Sequence, residues 1–185
     1  MPVRVAFQGA PGAFGEEAVV RHFGPTAQPL PSATMGDVVR AVEGGSADAG
    51  VLPVANAIAG PVRDALDAVA AGAVRVVGEV TVPVRLALLA LPGARLAGLR
   101  SVASHPVALA QCGTFLAAHP RLLPRPAWDT AGAARDVATA ADPTAGAIAA
   151  AQAAARYGLV VLADGIQDRE NNVTTFVVVE RSATR

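Results

Sequence analysis

The chain has 185 residues, 52% of them hydrophobic but only 4% aromatic, and its 15 basic residues balance 15 acidic ones. That length suits one large domain or two small lobes with real cores, and the charge balance leaves no electrostatic footprint for nucleic acid or an anionic membrane. Every basic residue is Arg, which excludes lysine Schiff-base chemistry.

Val3 to Gln8 reads as a short buried strand, Gly9-Ala10-Pro11-Gly12 as a turn, and Ala13 to Phe23 as a helix stopped by Gly24-Pro25. Ser32 is placed to cap a second helix through Val38, Val39 and Val42, which Gly44-Gly45 ends. Ala49 to Val54 is a buried strand, and Pro61 suits the first position of a helix running to about Ala71. The stretch Val74 to Leu91 contains Pro83, so it reads as two strands joined by a crossover between lobes. A second series follows: strand Ser101 to Ala103, helix Val107 to Ala118, strand Arg125 to Trp128, and a helix through Val137 that Thr130 can cap. Ala145 to Ala149 is a strand, Ala150 to Tyr157 a helix and Leu159 to Ala163 a strand. The chain returns through the loop Asp164 to Asn172 into a last strand, Thr175 to Val179.

Alternating strands and helices of this length imply an α/β fold with buried parallel strands. Two serial halves, a crossover and a return strand predict two lobes with a ligand cleft between them. Lobe 1 is expected over about residues 1–80 plus 165–185, and lobe 2 over about 81–164. Pockets in such sheets lie where strands end and helices begin, and helix N-termini receive carboxylates without a cation. Small or hydroxyl residues occupy four such turns: Gly12-Ala13, Asn56 to Gly60, Ser104-His105-Pro106 and Asp129-Thr130.

Ser104 and Gln111 are seven residues apart, nearly two helical turns, which puts them on one side of a helix. His105 reads as a local hydrogen-bonder and Cys112 as a core residue. No His, Cys or acid cluster has metal spacing, and Gly9-x-x-Gly12 is too short for a dinucleotide fingerprint. No metal and no cofactor is therefore expected. The lone Cys112 fits a reducing compartment, no apolar run approaches the roughly 20 residues of a membrane span, and Met1-Pro2-Val3-Arg4 enters a strand pattern at once. A cytoplasmic protein without nucleic-acid or membrane partners is expected. High mean hydropathy, +0.42, with few surface charges, predicts a homodimer or homotetramer.

Five segments in order carry a resemblance: Val5-Ala6-Phe7-Gln8-Gly9-Ala10-Pro11-Gly12-Ala13-Phe14, Gly50-Val51-Leu52-Pro53-Val54-Ala55-Asn56, Ser104-His105-Pro106 with Ala110-Gln111-Cys112, Tyr157-Gly158-Leu159 with Ile166-Gln167-Asp168, and Asn172-Val173-Thr174-Thr175-Phe176. From Val3 to Val179 the chain resembles the catalytic domain of prephenate dehydratases. The resemblance implies a two-lobed, type II periplasmic-binding-protein-like domain. It also implies an absent ACT regulatory domain, since that domain would begin where the chain stops at Arg185. It further implies a lyase of phenylalanine biosynthesis that turns prephenate, a small dianion, into phenylpyruvate, with Thr174 as the catalytic residue. Asn56, Ser104, Gln111 and Thr130, with Thr175, Phe176, Gly12 and Ala13, form the implied substrate-binding set. The chain departs from the family where Ala55, Ala57 and Ala59 stand for Glu, Ser and Glu, and where Thr175 stands for Arg. A prephenate decarboxylase that does not aromatise the ring, and a non-catalytic anion-binding module of the same fold, stay open at this stage.

Overall fold

In chain order the elements of the first half are β1 (Arg4–Gln8), α1 (Phe14–Phe23), β2 (Gln28–Ser32), α2 (Met35–Glu43), β3 (Ala49–Asn56), β4 (Gly60–Pro61), α3 (Arg63–Ala71) and β5 (Val74–Pro83). The second half holds β6 (Ala87–Ala90), β7 (Ser101–Ser104), α4 (Pro106–Ala110), α5 (Gly113–Ala118), β8 (Leu123–Pro126), α6 (Thr130–Ala140), β9 (Ala145–Ala149), α7 (Gln152–Tyr157), β10 (Val160–Asp164) and the long β11 (Val173–Arg181). The computed structural model describes residues 1–182. They divide into two units: Met1–Ala10, Phe14–Pro83 and the chain from Asn172 onward in the first, Pro11–Ala13 and Val84–Asn171 in the second.

The first unit is a mixed sheet in the order β2-β1-β3-β11-β5, with β4 paired to β3. β1 runs parallel to β2 and β3, and β11 lies antiparallel between β3 and β5. Helix α2 buries Val38, Val39 and Val42 against Ala6, Leu52, Val177 and Val179. The fit is close: a Cβ on Gly50 of β3 would stand 2.9 Å from Val38 and 3.0 Å from Val179, so only glycine lets helix and return strand meet there. Thr34, not Ser32, caps α2, because Ser32 is the last residue of β2. Thr34 Oγ1 accepts the Asp37 N–H at 3.1 Å while Asp37 Oδ2 accepts the Thr34 N–H at 3.1 Å, a reciprocal box. Pro61 does not start α3. It pairs with Ala55 in β4, and α3 begins two residues later.

The Thr34 hydroxyl, with the Arg40 guanidinium second, holds the Asp37 carboxyl below its usual range. The carboxylate's help is therefore present above the ordinary carboxylate value and is lost as pH falls through the lowered one. Thr34→Ala should cost about 1 kcal/mol at neutral pH. The cost should shrink in acid, as a shift in urea midpoint measured at pH 7 and pH 3 would show.

The second unit is a sheet in the order β10-β6-β9-β7-β8. β7 is parallel to β8 and β9, and β6 is antiparallel to β9 and β10. Its core is built from small side chains: Ala87, Ala133, Ala134, Ala147, Ala149, Ala153 and Ala154, around Leu89, Val137 and Leu159. Alanine on both surfaces brings helices α6 and α7 close to the sheet, so the interior fills densely without aromatic residues. The predicted single helix Val107 to Ala118 is broken into α4 and α5 at Gln111-Cys112. Residues 165–171, expected with the first lobe, belong to the second unit. There the Ile166 N–H donates to the Leu86 carbonyl at 2.9 Å, and Gln167 Oε1 accepts the Leu86 N–H at 2.9 Å. Among the described residues no helix is long and apolar enough to cross a membrane.

Candidate functional site

In the first unit, β3 ends where β11 begins, and the register pairs Thr174 with Asn56 and Thr175 with Ala55. The Asn56 amide is a hub. Its Nδ2 donates to Asn172 Oδ1 at 2.8 Å, Thr174 Oγ1 at 3.0 Å and the Val173 carbonyl at 3.3 Å. Its Oδ1 accepts from the Ile58 N–H at 3.0 Å and the Ala59 N–H at 2.8 Å. This pattern fixes the amide's orientation, because the flipped form would set an NH₂ against two N–H donors. Asn172 is 1% exposed.

The arrangement has a chemical consequence for Thr174. Its Oγ1 accepts from Asn56, so the hydroxyl's own proton is left to donate. Thr174 is half-buried and stands within β11, which begins at Val173, two residues before the expected strand start at Thr175. Thr175 sits opposite Ala55 on one side and Thr81 on the other. A bulge follows at once, since Phe176 pairs with Pro53 and skips Val54. Phe176 itself is 3% exposed and packs in the sheet interior.

The second unit holds the other candidates. Ser104 is not on a helix with Gln111. It ends β7, is fully buried, and donates Oγ–H to the Ile148 carbonyl of β9 at 2.6 Å. His105 is the capping residue of α4, its Nδ1 accepting the Val107 N–H at 3.3 Å, and Pro106 takes the first helical position. Gln111 is half-buried at the C-terminal end of α4. Thr130 opens α6 but does not cap it; Asp129 does, with Oδ2 accepting the Gly132 N–H at 2.9 Å. The carboxylate is simply the stronger acceptor one residue earlier.

Gly12 has φ +90°, and a Cβ there would lie 3.3 Å from the Ala153 Cα, so the turn admits glycine alone. Tyr157 donates Oη–H to the Pro11 carbonyl at 2.6 Å, and Gln152 Nε2 reaches the Gly12 carbonyl at 3.4 Å. Ala13, 4% exposed, follows. Cys112 is buried, and burial first and the Asp168 charge second push its thiol up to about 12, which marks it as inert packing. Among the described residues no three His, Cys, Asp or Glu side chains are grouped to hold a metal.

Of the residues that hold these contacts, Gln152 carries no signal in the sequence. Asp129 lies in one of the four turns, and Asn172, Tyr157 and Asp168 lie in the resembling segments, but nothing local marks Asn172 as the partner of Asn56, Tyr157 as the partner of Pro11, or Asp168 as the partner of the α4–α5 break.

The first unit's strand order, with β11 antiparallel among β2, β1, β3 and β5, and the second α/β unit built largely from the chain after β5 define the type II periplasmic-binding-protein-like class. The fold is shared with an ABC-transporter periplasmic substrate-binding protein from Coxiella burnetii, at TM-score 0.51 and 16% identity over 97% of this chain and 84% of that one. The prephenate dehydratase family model matches residues 5–184, and the chain belongs to that family. It is 42% identical over 180 residues to arogenate dehydratase 1 of Petunia hybrida, a match covering 97% of this chain. It spans only 42% of that relative's length. Among solved structures it resembles the prephenate dehydratase of Arthrobacter aurescens, determined in complex with L-Phe. There the TM-score is 0.89 and the identity 33%, over 98% of this chain and 61% of that one.

Proposed function

We propose that this chain catalyses the decarboxylating dehydration of prephenate to phenylpyruvate, as a lyase of phenylalanine biosynthesis, with Thr174 as the catalytic hydroxyl. The observation that carries the reading is the Asn56–Thr174 pair, in which the amide donates to one lone pair of the hydroxyl oxygen and leaves its proton to donate. In the reaction the ring C–O bond breaks, the departing oxygen takes up a proton and leaves as water. The bond to the ring carboxylate breaks too, CO₂ departs, and its electron pair completes the aromatic ring. A neutral donor suffices at the leaving oxygen when the substrate is oriented, because positioning and preorganised dipoles supply much of the acceleration. Taken unit by unit, the residues we assign to substrate binding are Asn56, Thr175 and Phe176 in the first, and Ser104, Gln111, Thr130 and the Gly12-Ala13 turn in the second. Ser104 and Phe176 are both buried, so each contributes through the backbone of its own strand.

The petunia relative's name makes arogenate, the amino-acid counterpart of prephenate, the competing substrate. Purified protein should be given each in turn, following phenylpyruvate absorbance in alkali, phenylalanine release and product mass. Phenylpyruvate from prephenate, at a higher kcat/KM than phenylalanine from arogenate, supports the proposal. A decarboxylated product that keeps the ring hydroxyl makes the protein a non-aromatising decarboxylase, and unchanged prephenate with measurable binding makes it a binding module.

Ala55 and Thr175 stand where the family has Glu and Arg, and they are cross-strand partners. Both charges are thus missing from one pair, and neither position is left with an unmatched ion. Thr175→Arg alone should not raise dehydration, since a lone half-buried Arg there pairs wrongly. Ala55→Glu with Thr175→Arg should raise it, which the same assay reads.

The setting we assign is cytoplasmic, in keeping with Cys112 as a free, buried thiol. A homo-oligomer is in keeping with Leu66, Val76 and Val77, all 40% or more exposed. Light scattering at high protein concentration should give at least twice the chain mass; a monomer would refute this.

A further inference from the structure

The break between α4 and α5 is held from outside. α4 has five residues and α5 six, and Cys112, at the N-terminal cap of α5, makes no side-chain capping bond. Helices this short do not persist unaided, and Gln111 lies at the joint. The missing cap comes from Asp168, whose Oδ2 accepts the Gly113 N–H at 3.1 Å and whose Oδ1 accepts the Thr114 N–H at 3.0 Å. The Asp168 N–H donates in turn to the Gln111 carbonyl at 2.7 Å. A Cβ on Gly113 would come within 3.3 Å of the carboxylate, so the joint is shaped for this contact. The strap that carries Asp168 is itself fixed, by the two hydrogen bonds that tie Ile166 and Gln167 to Leu86.

We propose that Asp168 is a positioning residue that sets the backbone at the α4–α5 break and thereby aims Gln111 at the substrate. The inference rests on the reading of Gln111 as a substrate contact. Two charge-assisted bonds to one helix N-terminus, plus a backbone bond to Gln111 itself, leave that residue little freedom. Removing the carboxylate frees two N–H groups of α5 and lets the joint drift, and a small misplacement of a binding group weakens catalysis by a large factor.

A kinetic double-mutant cycle tests this. Asp168→Ala should lower kcat/KM about 10-fold to 10²-fold, mostly through KM. In a Gln111→Ala background the same change should cost less than about twofold, because the residue it serves is gone. Equal losses in both backgrounds would overturn the proposal. Asp168→Asn keeps one carbonyl acceptor and should recover part of the loss; if Asp168→Ala does not fold, the cycle is run with Asp168→Asn against Gln111→Ala. Where the protein binds prephenate without turning it over, calorimetric Kd values replace kcat/KM in the same cycle. Neither turnover nor binding by the unaltered protein would overturn the functional reading and this inference together. Turnover with an additive cycle would overturn this inference alone.

Discussion

Replacing Thr174 by Val should lower kcat about 10²-fold to 10³-fold while changing KM little. Val matches the shape of Thr and keeps the β-branched preference of the strand, so β11 stays paired with β3 and β5. The Asn56 amide loses one acceptor but keeps Asn172 Oδ1 and the Val173 carbonyl. The stability cost should therefore be about 1 kcal/mol. On the proposed mechanism, what disappears is a donor to an oxygen that becomes strongly basic only as its bond to carbon breaks. Such an interaction is made in the transition state and shows in kcat. Steady-state kinetics beside a thermal melt separate the two effects. Full turnover in a folded Thr174→Val protein would remove Thr174 from the mechanism and shift attention to Gln111.

How much of this was legible depends on the range over which each feature is determined. The strands β1, β3 and β9 are short apolar runs bounded by turn residues, and such runs announce themselves. β2 did not, because two of its five residues are proline. Proline is tolerated there because β2 is an edge strand with a partner on one side only. The run Val107 to Ala118 is mostly apolar and reads as one helix. It breaks because Asp168, 55 residues from Gly113, supplies a cap that no local pattern reveals. Ser104 misleads in the same way: it precedes a helix, but its hydroxyl is claimed by the Ile148 carbonyl, 44 residues away. Thr174 and Asn56 were each visible within their own motifs. That they are directly paired across 118 residues was not, and that pairing orients the hydroxyl.

The same hub gives a pH-dependent expectation. Asn56 serves as acceptor for Ile58 and Ala59 and as donor to Asn172, Val173 and Thr174. Asn56→Asp keeps the acceptor side and replaces the NH₂ with an oxygen facing three oxygens. Ionised, that carboxylate faces two pure acceptors on this side, Asn172 Oδ1 and the Val173 carbonyl, and only the Thr174 hydroxyl can donate to it; protonated, it can donate to one of the two. Its folded pKa should therefore lie above the unfolded carboxylate value of about 3.9. Between the two values the folded state binds more protons than the unfolded state, so stability falls as pH rises through that window. The variant's deficit should be small at pH 4 and reach roughly 2 to 4 kcal/mol at pH 8, the scale of a buried polar group set against the wrong partner. Turnover should fall as well, because the Thr174 hydroxyl now has a carboxylate beside it and will donate there instead of to the departing oxygen. Urea unfolding of the unaltered and variant proteins across this range measures the first effect. A deficit that is the same at both ends would mean that the Asn56 Nδ2 contacts do not govern the stability of this corner of the sheet.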